Sequence, residues 1–311
     1  MDPLNVLIRL IKGYGLGDAV QMSAVLKHVR KHRPHWLVDF QAERGREKVG
    51  RGIVRNIFTY DEPYPSTHYD AEVHLLFLDS FANWDDRPNT RVTSCLHERF
   101  GLRWDRECAR YEVNISRKVC HEVCRFLDTF RQEPTRTIDA EDAGLYVGED
   151  YPSEWLKYLF VCVHYLGDSD KTNKDLTHSQ AAAVCNSIVK FGKTPLLLDY
   201  RGVSPLGTHY PTTYYRREWG GDAEYQCAVI AQCEAFVGID SGPSKCAAAT
   251  DTPSLVVWTG HHPAPFHDPA PNTTHLVPVG YHGFQPVLDD PGVIRFFEAS
   301  YNVRKYDRDP V

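Results

Sequence analysis

Residues 236–249, FVGIDSGPSKCAAA, are the part of the sequence from which the fold can be read outward. The apolar run 236–239 reads as a buried strand, Asp240-Ser241-Gly242-Pro243 as a tight turn, and Ser244-Lys245-Cys246-Ala247-Ala248-Ala249 as a helix of small side chains. A strand that turns directly into a helix is half of a βαβ unit, and such units build parallel sheets. The turn also offers unpartnered amides at the positive end of a helix dipole. The hydroxyls of Ser241 and Ser244 and the ammonium of Lys245 add further donors, which suits a diphosphate. The same residue types serve a purely structural purpose equally well, because Asp240 and Ser241 can cap the helix while the alanines let it pack closely on a sheet.

Outward from this stretch the alternation continues. Residues 254–258 form a strand candidate downstream. Upstream come a strand at 159–163, a helix opened by the capping box Thr177-His178-Ser179-Gln180 and carrying Val184, Cys185, Ile188 and Val189, a strand at 195–198 and a helix at 222–232. The N-terminal part begins with the apolar run 6–11, the turn Gly13-Tyr14-Gly15-Leu16-Gly17-Asp18, and a helix whose Met22, Val25, Leu26 and Val29 form one stripe before Pro34. Strands are then expected at 36–40, 57–60 and 73–78, and helices around Val92, Cys95, Leu96 and around Val119, Val123, Phe126, Leu127, Phe130. Asp290-Pro291 would open a closing C-terminal helix carrying Val293, Phe296 and Phe297. Residues 132–155 are rich in Pro, Asp and Glu around a short apolar island at 145–147, which places a domain boundary there: 1–145 and 146–311. The fold class is α/β, two Rossmann-like domains with parallel sheets covered by helices.

Composition narrows the function. The 311 residues, 42% hydrophobic, can bury one large core or two ordinary ones. A net charge of −6 gives no general attraction to nucleic acid or anionic lipid. No window approaches the ~18 consecutive apolar residues that a membrane span needs, and the first residues carry no cleavable leader pattern, so a cytoplasmic location is expected. Nine cysteines without a C-x-x-C pair read as free thiols. Neither His261, His262, His267 and His275 nor Cys120-His121-Glu122-Val123-Cys124 has the spacing of a metal site, so no metal is expected, nor any cofactor.

The glycine turn at 13–18 lacks the third glycine of a dinucleotide fingerprint, and no ribose-binding acid follows it. Its place at the carboxyl end of the first strand is where α/β proteins build sites. Gly15 and Gly17 would leave room for a sugar beside the backbone, and Asp18 can accept a proton from a hydroxyl or serve as an N-cap. The histidines His261, His262, His267 and His275, with the prolines around them, read as a loop after the strand ending at Trp258, at the mouth of the expected cleft, where contact with a donor or acceptor and simple exposure are both open readings.

Taken together these segments resemble glycosyltransferase family 9, the ADP-heptose:lipopolysaccharide heptosyltransferases. Three stretches carry the likeness: IRLIKGYGLGDAVQMSAVLKHVRKHRP (8–34), VCVHYLGDSDKTNKDLTHSQAAAV (161–184) and FVGIDSGPSKCAAATDTPSLVVWTGHHP (236–263). The last departs from the family pattern at Lys245, where a histidine is usual, and at Asp251-Thr252-Pro253, where a glycine is expected.

The resemblance implies a GT-B architecture with the acceptor on residues 1–145 and a nucleotide-sugar donor on 146–311. It makes Asp18 the general base and Lys174, or alternatively Lys171, the lysine on the donor phosphate. Asp240, Ser241, Gly242, Pro243, Ser244 and Lys245 become the donor loop. The implied reaction is inverting, metal-independent transfer of a sugar from an ADP-heptose-like donor to a hydroxyl of a glycan or glycolipid, as in lipopolysaccharide biosynthesis, with at most peripheral membrane association. A non-catalytic nucleotide-sugar binding protein, or an epimerase or hydrolase of the same fold, are the alternatives.

Overall fold

The structure, a computed structural model, describes residues 3–63, 68–75, 90–130, 160–167, 174–250, 252–258 and 272–276. The domain boundary, the apolar island at 145–147, the C-terminal helix, Lys171, His261, His262 and His267 lie outside the described residues.

Two wholly parallel sheets are present. In the first, β1 (Leu4–Leu10), β2 (Trp36–Ala42), β3 (Asn56–Thr59) and β4 (Ala71–Leu75) run in the order β3-β2-β1-β4. In the second, β5 (Phe160–His164), β6 (Thr194–Leu197), β7 (Ala235–Ile239), β8 (Ser254–Val257) and β9 (Thr273–Leu276) run β6-β5-β7-β8-β9. Helices α1 (Leu16–His32), α2 (Thr90–Phe100) and α3 (Arg117–Asp128) accompany the first sheet, and α4 (His178–Lys190), α5 (Ala223–Ala231) and α6 (Gly242–Ala249) the second. This is the α/β alternation expected from the sequence. Among the described residues no helix is long and apolar enough to cross a membrane.

Local chemistry accounts for the helices. In α1 the stripe Met22, Val25, Leu26 and Val29 is buried, and Arg30, Lys31 and His32 in the last turn oppose the negative end of the dipole. In α4 the amide of Gln180 donates to Thr177 Oγ1 at 3.3 Å while the amide of Thr177 donates to Gln180 Oε1 at 2.9 Å, a reciprocal capping box. Asp222 caps α5 by accepting from the amides of Glu224 and Tyr225.

One expectation is corrected. The sequence places His275 in the loop after Trp258, but it lies in β9, paired with Val256 of β8. The prolines on either side hide a four-residue strand whose backbone completes the edge of β8, and Trp258 Nε1 donates to His275 Nδ1 at 3.0 Å.

Composition left open one core or two. The larger cluster of buried side chains runs through both halves, from Ile8, Met22 and Phe40 to Phe160, Cys162, Phe236 and Cys246. A second cluster lies on the other face of the second sheet, under α4. Strand β5 shows the division: Phe160 and Cys162 enter the shared core while Val161 and Val163 enter the other, as alternation along a strand requires. The halves are also joined by charge. Glu224 on α5, 1% exposed, accepts from Arg51 Nη1 and from the amide of Ser116, while Lys48 reaches both it and Asp222. All nine cysteines are free and eight of them are buried. Burial pushes the thiols of Cys95 and Cys185 up to about 12, so these sulfurs are packing groups and not nucleophiles.

Candidate active site

Strands β1 and β7 end on the same side of the molecule, and each feeds a helix that starts at a glycine-containing turn. The two helix N-termini meet there. A Cβ added at Gly17 would lie 3.2 Å from Gly242 Cα and from Lys245 Cγ, and one added at Gly242 would lie 3.1 Å from Leu16 Cβ. Only glycine lets the backbones of α1 and α6 approach so closely. The room at Gly17 is thus taken up by α6, whereas a Cβ at Gly15 would meet only Asp18 Oδ2, at 3.5 Å. Both glycines line a cavity of about 760 Å³ that opens at this junction.

Asp18 is the third residue of α1 and lines that cavity. Its Oδ2 accepts from the Gly15 amide at 3.0 Å, and its Oδ1 accepts from Arg91 Nη1 at 2.6 Å. The carboxylate therefore folds back on the turn before it, as a capping residue does, and still borders the cavity.

Across the junction Asp240, 4% exposed, binds two lysines, Lys174 Nζ at 3.1 Å on Oδ2 and Lys245 Nζ on Oδ1. Lys245 is 3% exposed and sits 5.2 Å over the Trp258 ring. Burial pushes its pKa down and the Asp240 carboxylate pulls against that. Ser241 Oγ lies 3.1 Å from Nδ1 of His164, the last residue of β5, whose pKa burial pushes down to about 4. This imidazole is neutral at ordinary pH, so it adds no charge beside Lys174 and Lys245.

Of the expected donor residues, Lys174, Asp240, Ser241, Gly242, Pro243 and Lys245 line the cavity. Ser244 does not: fully buried, its Oγ donates to the Ser241 carbonyl at 2.8 Å and receives the Ser241 amide at 3.1 Å, closing the first turn of α6. That hydroxyl holds the loop's shape. Four arginines absent from the sequence reading also line the cavity: Arg46, Arg91, Arg201 and Arg217. A signal for two of them was positional, since Arg46 follows β2 and Arg201 follows β6 by a few residues, at the carboxyl ends of parallel strands where α/β sites form. Arg91, in the first turn of α2, had no such marker.

The lining holds six cationic side chains, Arg46, Arg91, Lys174, Arg201, Arg217 and Lys245, against three acidic ones, Asp18, Asp199 and Asp240. Asp199 is occupied by its own loop, accepting from the amides of Gly202 and Ser204. An excess of fixed cations beside two helix N-termini suits an anion, and the volume suits one larger than a lone phosphate. Among the described residues no group of three or more His, Cys, Asp or Glu is placed to hold a metal ion.

No family model matches the sequence, and no curated protein matches it. Solved structures do match the fold. A glycosyl transferase of family 9 from Veillonella parvula DSM 2008 aligns at TM-score 0.65 and 12% identity over 97% of this chain and 98% of that one. E. coli ADP-heptose lps heptosyltransferase II aligns at 0.68 and 12% identity over 97% of this chain and 100% of that one. TibC of enterotoxigenic E. coli, an iron-containing dodecameric heptosyltransferase solved with ADP-D-beta-D-heptose, aligns at 0.56 and 10% identity over 98% of this chain and 79% of that one. At these identities the likeness is one of fold, and the chain has the two-sheet GT-B fold of these glycosyltransferases.

Proposed function

We propose that the cavity is the active site of an inverting, metal-independent glycosyltransferase that takes a sugar from an ADP-heptose-like donor and passes it to a hydroxyl of a glycan or glycolipid. The observation that carries this reading is the meeting of two helix N-termini from the two sheets, with Asp18 on one side and the Lys174–Asp240–Lys245 cluster on the other, in one crevice. Neighbours of the same fold were solved with ADP or with ADP-heptose, which supports the donor class.

In this reading the C-terminal part, 146–311, holds the diphosphate on the amide of Gly242 and on Lys174 and Lys245, with Asp240 keeping the two ammonium groups in place. Fixed cations oppose the charge that grows on the leaving diphosphate, and this is why no metal ion is required. The N-terminal part, 1–145, receives the acceptor. Asp18 takes the proton of the attacking hydroxyl as that oxygen bonds to the anomeric carbon from the face opposite the diphosphate, which inverts the configuration.

The test is Asp18→Asn, which keeps the shape of the side chain and removes its basicity. Affinity for ADP should stay within about twofold while transfer from ADP-heptose falls by about 100-fold or more, in the range of general-base catalysis. Turnover equal to that of the parent would remove Asp18 from the mechanism. ADP binding by the parent without any transfer would instead favour a binding protein. EDTA should leave turnover unchanged, and loss of activity restored by a divalent metal would overturn metal independence.

A further inference from the structure

Asp18 is held at both oxygens, and the two holds differ in origin. The bond from the Gly15 amide spans three residues and belongs to the local geometry of a helix start. The bond from Arg91 Nη1, at 2.6 Å, spans 73 residues and comes from another helix. Folding of α1 accounts for the first and not for the second. Both partners of the long-range pair line the cavity, and their side chains are 20% and 19% exposed, so the pair is screened less than a surface ion pair.

We infer that Arg91 is a positioning residue of the transfer reaction: it fixes the Asp18 carboxylate toward the acceptor hydroxyl and offsets the charge that moves when the proton arrives. The inference rests on the reading of Asp18 as the base. An ionised carboxylate has roughly four lone-pair sites, and Gly15 and Arg91 take one on each oxygen, which leaves a site on either oxygen for the hydroxyl. In the displacement the acceptor oxygen bonds to the anomeric carbon, and the bond from that carbon to the diphosphate oxygen breaks. Its electron pair leaves with the diphosphate, and the hydroxyl proton passes to Asp18. As the carboxylate becomes neutral, Arg91 loses the counter-charge of Asp18 at the moment the diphosphate gains a negative charge. Lys174 and Lys245 keep Asp240 throughout. Arg91 is then the cation whose balance changes during the step, and its field turns toward the leaving group when that group needs it.

The experiment compares the full-length parent, Arg91→Met, Arg91→Lys and Asp18→Asn. It measures ADP release from ADP-heptose with water as acceptor, ADP affinity by calorimetry, and melting temperature. Arg91→Met is expected to bind ADP within about twofold of the parent, to keep KM for ADP-heptose within about threefold, and to lose about 10- to 100-fold in kcat, the usual cost of a misplaced catalytic group. Arg91→Lys should recover part of that loss, because an ammonium restores the charge without the planar fork. Should Arg91→Met not fold, Arg91→Lys carries the test, with kcat lowered and ADP affinity kept as the expected result. The inference is overturned by a parental kcat in Arg91→Met, by equal losses in kcat and ADP affinity, or by a folded Arg91→Lys no better than Arg91→Met. No ADP release by the parent, or full activity in Asp18→Asn, overturns the base reading and this inference with it. A silent Asp18→Asn beside a normal Arg91→Met overturns this inference alone.

Discussion

Gly17→Ala probes the junction on which the site depends. Carbon atoms in ordinary contact sit about 3.5–4.0 Å apart, and the added Cβ would lie 3.2 Å from both Gly242 Cα and Lys245 Cγ. The helices must therefore separate by about 0.3–0.8 Å. Neither neighbour can swing aside: one is backbone, and the other belongs to a buried side chain whose ammonium is bound to Asp240. Overpacking of this kind costs roughly 1–3 kcal/mol, against which alanine in place of a helical glycine gains up to about 1 kcal/mol. The gain is smaller at the second residue of a helix than in its middle, so the net effect is destabilising, about 1–2 kcal/mol. At about 1.5 °C per kcal/mol for 311 residues, the melting temperature should fall by about 1.5–3 °C. Displacement of α6 from α1 should weaken ADP binding a few-fold and slow transfer more, because geometry errors near 1 Å cost about 100-fold. Two controls sharpen the reading. Gly13, at φ +91° with nothing within 4 Å of an added Cβ, should lose stability from backbone strain alone and keep its ADP affinity. Gly17→Ala combined with Gly242→Ala should cost less than the sum of the two, because one separation of the helices relieves both contacts. A Gly17→Ala protein that melts at or above the parental temperature with unchanged ADP affinity would refute the reasoning.

Other predictions follow from the buried charges. Burial pushes His164 and His275 each down to about 4, from an ordinary value near 6.5. The unfolded chain then binds protons that the folded one refuses, so their contribution is intact above about pH 6.5 and is lost as the pH falls toward 4. For His164 the full difference is about 3 kcal/mol, and urea midpoints of His164→Gln measured from pH 7 to pH 4.5 should fall less steeply than those of the parent; equal slopes would exclude the histidine as a cause. Lys245→Met should weaken ADP binding by about 10- to 100-fold, the worth of a charged hydrogen bond, and destabilise the protein by about 3 kcal/mol by leaving Asp240 half-paired in the interior. The double variant with Asp240→Asn should regain part of that stability in urea unfolding, and strict additivity of the two losses would show that the pair is not coupled.

The elements were legible in the sequence where their signals are local. The stripe of α1, the capping box of α4 and the strand-to-turn pattern at 236–242 depend on neighbours within about two turns, and periodicity reports those. The strand β9 was not legible, because a four-residue segment between prolines acquires its identity from the edge of β8 and not from its own residues. Ser244 shows the same limit inside the site: its type suggested a phosphate donor, and its rotamer turns it into the helix start.

By itself the sequence determined that strands and helices alternate, that two glycine turns carry Asp18 and Asp240 at strand ends, and that nothing in the composition calls for nucleic acid. Tertiary structure alone decided that these two turns open on one cavity, that Gly17 faces Gly242, that Arg91 reaches Asp18, and that Arg51 and Lys48 close on Glu224. The reason is physical. A helix or a cap is specified by residues a few positions apart, whereas each of these contacts joins segments far apart in the chain, and only the order of the strands and the packing of the shared core bring them within reach.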